Sequence, residues 1–466
     1  MNIYTFSSLL LFLGVSFAQQ LRYEPLRNRG RDEDASLWSQ GTDTYVRAHG
    51  LSFEWLEVPT QDDVTIRVHH LWNPRVNGTM IPVLMAHSLL VSGDVFLLNK
   101  PEQSFAMILA NNGYDVYIIN FRGSSYSPLT RDEFVNSTLD DNIFKDFPAT
   151  IDFVLQRTNQ ETLNIVAYSK GAYVSLGLLA NKPEYNQKVR LLILMCPVTA
   201  ITKPVALISS LMGVLEVAIK TFGIPLSDIV DSNFYFGIFR LPGVPRAIDL
   251  LGHLLPIGTR CVYNALLTGT IDCISPLNFD IDLIEKVFIR GVPDGVKTRE
   301  LIQFTQNSRS EQFQSYSPSW YDRSLGNILG SVPEALAHVV YVRENLDNVE
   351  EYDLSAVTAP VAILQANHEV FSQPQDYRRI RNSLCSNIIG GRLNPDKYVF
   401  AVTDPNFAHT DPTVGTRSDE VYGNAFYMIM RENDLSLDSS QGDVLGYLDP
   451  DFSHLASQTC ESSPAS

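Results

Sequence analysis

Leu163-Asn-Ile-Val-Ala-Tyr-Ser-Lys-Gly-Ala-Tyr173 is the stretch on which the fold turns. An apolar run halts at Ser169, with the small residues Ala167 and Gly171 two positions to either side. Apolar residues then resume at Val174, Leu176, Leu178 and Leu179. This pattern predicts a buried strand passing directly into a helix, with the serine on the turn between them. So tight a turn admits only very small side chains at the flanking positions, and it lifts the hydroxyl above the sheet as a nucleophile elbow does.

A serine hydroxyl needs a base to take its proton and an acid to hold that base in the right tautomer. Glu369 follows the apolar run Val361-Ala-Ile-Leu-Gln365, and His409 follows Lys397-Tyr-Val-Phe-Ala-Val402 within Asn406-Phe-Ala-His-Thr-Asp411. Both lie in loops beyond strands, where open α/β sheets carry functional groups. Ser169, Glu369 and His409 therefore run in the chain order of the α/β-hydrolase triad, with His368 as the alternative orienter. The chemistry also needs backbone N–H groups aimed at the developing oxyanion. Lys170 supplies one, and Leu89, in Val83-Leu-Met-Ala-His-Ser-Leu-Leu90, fits the second.

Outward from the elbow, Phe53–Val58 and Val64–Trp72 read as an opening hairpin around Gln61-Asp62-Asp63. Val83–Ala86, Asp115–Asn120, Leu163–Ala167, Val189–Met195 and Val361–Gln365 are continuous apolar strands. A mostly parallel sheet covered on both faces requires such continuity. Residues 46–199 and 346–432 are thus expected to form the core. Between 200 and 345 the pattern turns to apolar and amphipathic helices broken by Pro225, Pro242 and Pro256, expected as an inserted helical cap. Residues 19–45 read as a flexible polar leader and 433–466 as a polar disordered tail.

The 466 residues are 45% hydrophobic and 19% charged, the balance of a globular chain with a large core. A formal charge of −17 argues against nucleic acid as a partner. Residues 1–18 read as a secretory signal, with Leu9–Leu13 as the apolar block and Ser16-Phe-Ala18 at the cleavage position. Beyond it no run of about 18 uninterrupted apolar residues predicts a membrane span. Secretion gives meaning to the glycosylation sequons at Asn77 and Asn136. The five cysteines leave one over or paired between chains; Cys261 and Cys273 are close enough to staple a loop, and no spacing matches a zinc site. The triad needs no metal or cofactor, and no Gly-rich phosphate loop is found.

The chain resembles the acid lipase family, which includes gastric and lysosomal acid lipases. The resemblance rests on His87-Ser-Leu-Leu90, on Asn112-Gly-Tyr-Asp-Val-Tyr117 with Asn120-Phe-Arg-Gly-Ser-Ser-Tyr-Ser127, and on Phe147–Phe153. The elbow, Tyr352–Pro360, Pro374-Gln-Asp376 and Phe407–Asp411 continue it in family order over about residues 50–430. It implies an α/β-hydrolase core, a mobile helical cap opened by a lipid surface, and activity on neutral-lipid esters. Ala167-Tyr-Ser-Lys-Gly171 stands where the family carries Gly-His-Ser-Gln-Gly, Ser88 stands for a glycine, and Glu369 stands for an aspartate. A Lys170 cation near His409 is expected to disfavour the imidazolium that must form. Two functions follow. One is a secreted or lysosomal lipase acting on triacylglycerols or sterol esters, with retinyl, wax and pheromone esters as further classes. The other is a lipase-like lipid-binding, yolk or carrier protein with little turnover.

Overall fold

A computed structural model describes residues 33–76, 80–200, 294–317, 349–364, 374–385 and 408–419, with single positions 283, 286, 287, 371, 430 and 434. The opening hairpin forms as expected. β1 (Ser52–Pro59) and β2 (Thr65–Trp72) pair antiparallel from Ser52 opposite Trp72 to Pro59 opposite Thr65. Thr60 N–H donates to the Val64 carbonyl at 2.8 Å, and Asp63 takes φ 63° to close the turn.

β3 (Pro82–Ala86), β4 (Asp115–Ile119), β5 (Leu163–Tyr168), β6 (Val189–Met195) and β7 (Val361–Leu364) complete a seven-stranded sheet in the order β1-β2-β4-β3-β5-β6-β7. β2 meets β4 antiparallel, and every pairing from β4 to β7 is parallel. β4 lies on one side of β3 and β5 on the other, so the connections diverge at β3. Open α/β sheets gather ligands in the crevice at such a switch point, beyond the strand ends. The loops after β3 and β5 are the two that carry Leu89 and Ser169.

Described helices are α1 (Glu33–Gln40), α2 (Thr42–Ala48), α3 (Phe105–Asn111), α4 (Arg131–Asn136), α5 (Leu139–Asp141), α6 (Phe147–Thr158), α7 (Lys170–Asn181), α8 (Thr298–Ser310), α9 (Pro374–Cys385) and α10 (Asp411–Val414). Successive residues of each central strand feed two separate cores. Leu84, Ala86, Ile165, Ala167, Leu192 and Leu194 pack toward Phe147, Ile151, Tyr173 and Leu176 of α6 and α7. Val83, Met85, Val166, Tyr168, Ile193 and Met195 pack toward α3 and the N-terminal helices. Burial on both faces is the physical reason these strands read as unbroken apolar runs.

Two sequence expectations change here. Residues 33–45 are not a leader without structure: they lie in α1 and α2, where Trp38, Tyr45 and Val46 are wholly buried. Trp38 Nε1 donates to the Lys286 carbonyl at 3.0 Å, and its ring meets Tyr45 edge to face at 5.1 Å. Three apolar anchors in a polar stretch are too few to print a helical period. The return leg of the expected cap, residues 294–317, is built into the core. Leu139 N–H donates to Gln303 Oε1 at 3.0 Å, Tyr173 Oη donates to the Gln314 carbonyl at 3.1 Å, and Asn307 Nδ2 donates to Tyr173 Oη at 2.7 Å. The amides on α8 that make it look solvent-facing in sequence bond to α5, α7 and the loop after α8, Asn307 Oδ1 excepted. The signal segment, most of residues 200–345, the strand expected at 397–402 and most of the tail lie outside the described residues.

Candidate active site

β5 ends at Tyr168 and α7 begins at Lys170, so one residue makes the turn. Ser169 takes φ 52° and ψ −106°, a sparsely populated region that costs a residue with a side chain about 1–3 kcal/mol. Its N–H donates to the Met195 carbonyl at 2.9 Å, and its own carbonyl accepts from Tyr173 N–H at 3.2 Å. Contact between α7 and β3 explains the glycine. A Cβ on Gly171 would fall 2.2 Å from the Ala86 carbonyl oxygen, which backbone cannot yield. Ala167, by contrast, fits within the core with no exposure.

The imidazole arrives from 240 residues downstream. His409 Nε2 stands 2.9 Å from Ser169 Oγ, and the residues are 4% and 6% exposed. Tyr168 Oη donates to the His409 carbonyl at 2.9 Å, and the Phe371 ring meets the imidazole edge to face at 4.8 Å. Just beyond, the Asp411 carboxylate accepts from Ala408 N–H at 2.7 Å and shapes the loop.

Leu89 is half-buried in the turn that leaves β3. The base of that turn is fixed by His87, whose Nδ1 donates to the Ser88 carbonyl at 2.7 Å while Nε2 accepts from Phe121 N–H at 3.1 Å. These partners require a neutral ring. Burial first, and the Lys170 charge second, hold its pKa well below the usual imidazole range.

A family model for the α/β hydrolase fold matches residues 81–234, and one for a partial α/β-hydrolase lipase region matches residues 42–100. Gastric triacylglycerol lipase of Rattus norvegicus is 27% identical over 353 residues, covering 72% of this chain and 79% of that protein. The Homo sapiens protein of the same name is 25% identical over 342 residues, covering 70% and 77%. Tear acid lipase-like protein of Mesocricetus auratus is 25% identical over 395 residues, covering 82% and 87%. The chain has the α/β-hydrolase fold and is similar to gastric and other acid lipases.

Lys170, next to Ser169, is held in an ion pair that its own sequence neighbourhood does not announce. Its ammonium lies 2.9 Å from Glu300 Oε1 and 5.0 Å above the Phe121 ring, with the side chain 4% exposed. The charge is thus matched by a carboxylate at the start of α8 rather than set unopposed against His409. Glu300, Tyr168 and Phe371 carry no local sequence signal for these roles, because each acts through a partner far away in the chain. Glu369, His368, Asn77, Cys261 and Cys273 lie outside the described residues. Asn136 is exposed at the end of α4. Among the described residues no three His, Cys, Asp or Glu side chains gather as a metal site, and no helix is long and apolar enough to cross a membrane.

Proposed function

We propose that the chain is a secreted or lysosomal lipase that hydrolyses carboxylic esters of neutral lipids, triacylglycerols or sterol esters, at Ser169. The observation that carries this reading is the 2.9 Å approach of Ser169 Oγ to His409 Nε2 on a strained one-residue turn. Ser169 Oγ attacks the ester carbonyl carbon as His409 Nε2 takes its proton. His409 then hands that proton to the departing alcohol, and water releases the acyl group by the same steps in reverse. Glu369 is assigned to orient the imidazole.

The oxyanion is assigned to the amides of Leu89 and Lys170. Lys170 opens α7, where the first N–H groups have no partner inside the helix and the dipole favours negative charge. The close approach of Gly171 to Ala86 supports the second donor, since it brings the loop after β3 beside the elbow. Losing one such donor typically costs about 2.7–4 kcal/mol of barrier. The lipases among the relatives support a lipid ester as substrate and a lipid surface as the place of encounter. They also support secretory targeting, with which the sequon at Asn136 agrees. Residues 200–345 are assigned to the helical cap, with the stretch 294–317 packed on the core.

The deciding experiment is labelling by a fluorophosphonate probe beside hydrolysis of an emulsified triacylglycerol. Rapid labelling that Ser169→Ala abolishes, together with ester turnover, is the expected outcome. Binding of fatty acyl ligands without labelling would instead make the chain a lipid carrier.

A further inference from the structure

Behind the elbow lies an ion cluster that ester hydrolysis does not itself require. Lys170 and Lys297 both face Glu300, at 2.9 Å and 3.7 Å, and all three side chains are at most 4% exposed. Lys297 Nζ also donates to the Thr138 carbonyl at 3.1 Å and to Asn142 Oδ1 at 3.0 Å. Burial works against the Glu300 carboxylate, but the two ammonium groups outweigh it and hold its pKa below the usual range. Glu300 thus lies between the two lysines, while burial chiefly pulls the pKa of Lys297 below its usual range.

The same segment reaches the other side of the site. Asp294 N–H donates to the Leu90 carbonyl at 2.7 Å, where Leu90 turns with φ 61°. The Asp294 carboxylate accepts from Ser125 N–H and from Ser125 Oγ, each at 2.9 Å. Residues 294–300 thus touch the residue whose amide opens α7 and the residue next to Leu89.

We infer that residues 294–300 are a positioning strap which aligns the two oxyanion donors, Glu300 acting through the Lys170 ammonium and Asp294 through its N–H on the Leu90 carbonyl, an N–H that the Asp294 carboxylate holds in place by its grip on Ser125. Glu300 touches no reacting atom. By neutralising Lys170 it keeps that side chain buried and so fixes the first turn of α7; without it, two ammonium groups would share one desolvated space and drive the turn outward. The inference rests on the proposed ester hydrolysis, because only there do the two amides act together.

The test compares the wild type with Glu300→Gln, the double variant Lys170→Gln/Glu300→Gln, and Asp294→Ala. Turnover of a soluble p-nitrophenyl ester is read as kcat per fluorophosphonate-titrated site, so that loss of folded protein does not enter. Hydrogen–deuterium exchange is read over residues 84–95 and 166–175. Glu300→Gln is expected to lower kcat by about ten- to a hundredfold, part of what loss of a whole donor costs, with KM nearly unchanged. Exchange should quicken in both segments. The double variant, which removes the stranded cation, should recover most of the lost kcat.

Unchanged kcat and unchanged exchange in Glu300→Gln would overturn the strap. If Glu300→Gln does not fold, Asp294→Ala decides: faster exchange over 84–95 with lower kcat supports the strap, and no change in either overturns it. A wild type without turnover would remove the hydrolase reading. The strap would then stand or fall on exchange alone, quickened in both segments or not.

Discussion

Replacing Gly171 with alanine tests the elbow most directly. On the present backbone the added methyl lies 2.2 Å from the Ala86 carbonyl oxygen, 2.7 Å from its carbonyl carbon and 2.9 Å from its Cβ. Non-bonded carbon atoms settle at about 3.5–4.0 Å, so the start of α7 must retreat from β3 by roughly 1 Å. Both obstructing groups are central in the sheet and cannot swing aside. Overpacking of this kind costs about 1–3 kcal/mol of stability. The same displacement moves Ser169 relative to His409, and about 1 Å of misplacement at a reacting group costs on the order of 10²-fold in rate. Gly171→Ala is therefore expected to unfold at lower denaturant and to react with a fluorophosphonate about 10²-fold more slowly per folded molecule. The assay follows probe incorporation with time beside a denaturant titration. A variant that keeps both the wild-type midpoint and the wild-type labelling rate would refute the claim that contact between α7 and β3 sets the nucleophile's position.

Tyr168→Phe removes the hydroxyl that holds the His409 carbonyl at 2.9 Å. A loss of about 0.5–1.5 kcal/mol is expected by denaturation, with a lower kcat at nearly constant KM; an unchanged kcat would mean that the imidazole is held by its other neighbours alone. Asp62, in the hairpin turn, accepts from both terminal nitrogens of Arg122, at 2.8 Å and 3.0 Å. Those bonds, chiefly, hold its carboxyl well below the usual carboxylate range. Its stabilising contribution is thus present above about pH 4, where the unfolded chain is ionised, and fades as acid reaches the folded-state value. Asp62→Asn should be less stable than the wild type at pH 7, with the gap closing toward pH 2. A gap that stays constant across chemical denaturation at pH 7, 4 and 2 would exclude the ion pair as its source.

The sheet was legible because its strands answer to one rule, burial on both faces, which leaves apolar runs at 83–86, 116–119, 165–168, 191–195 and 361–364. The hairpin declared itself through the polar turn at 61–63. Ser169 was legible from the small residues around it, since steric exclusion is local. The register of His409 against Ser169 followed only from the order of loops along the chain. What stayed hidden was set by distant partners. Lys170 and Glu300 are far apart in sequence, and nothing near either one announces an ion pair between them. Trp38 and Tyr45 look like stray aromatics in a polar stretch until Lys286 closes over them, its ammonium 4.1 Å from the Tyr45 ring. Residues 294–317 followed a long stretch of cap-like sequence, and their amide-rich helix gave no sign that its polar face meets protein rather than water.

The backbone angle at Ser169 also bears on the choice between catalyst and carrier. Glycine would occupy φ 52° with little penalty, whereas serine there subtracts from the stability of the whole molecule. A chain retained only to ferry lipid would fold better without this side chain, and would have no reason to aim an imidazole at it. Serine at this corner is a handicap to folding that makes sense where its oxygen is used.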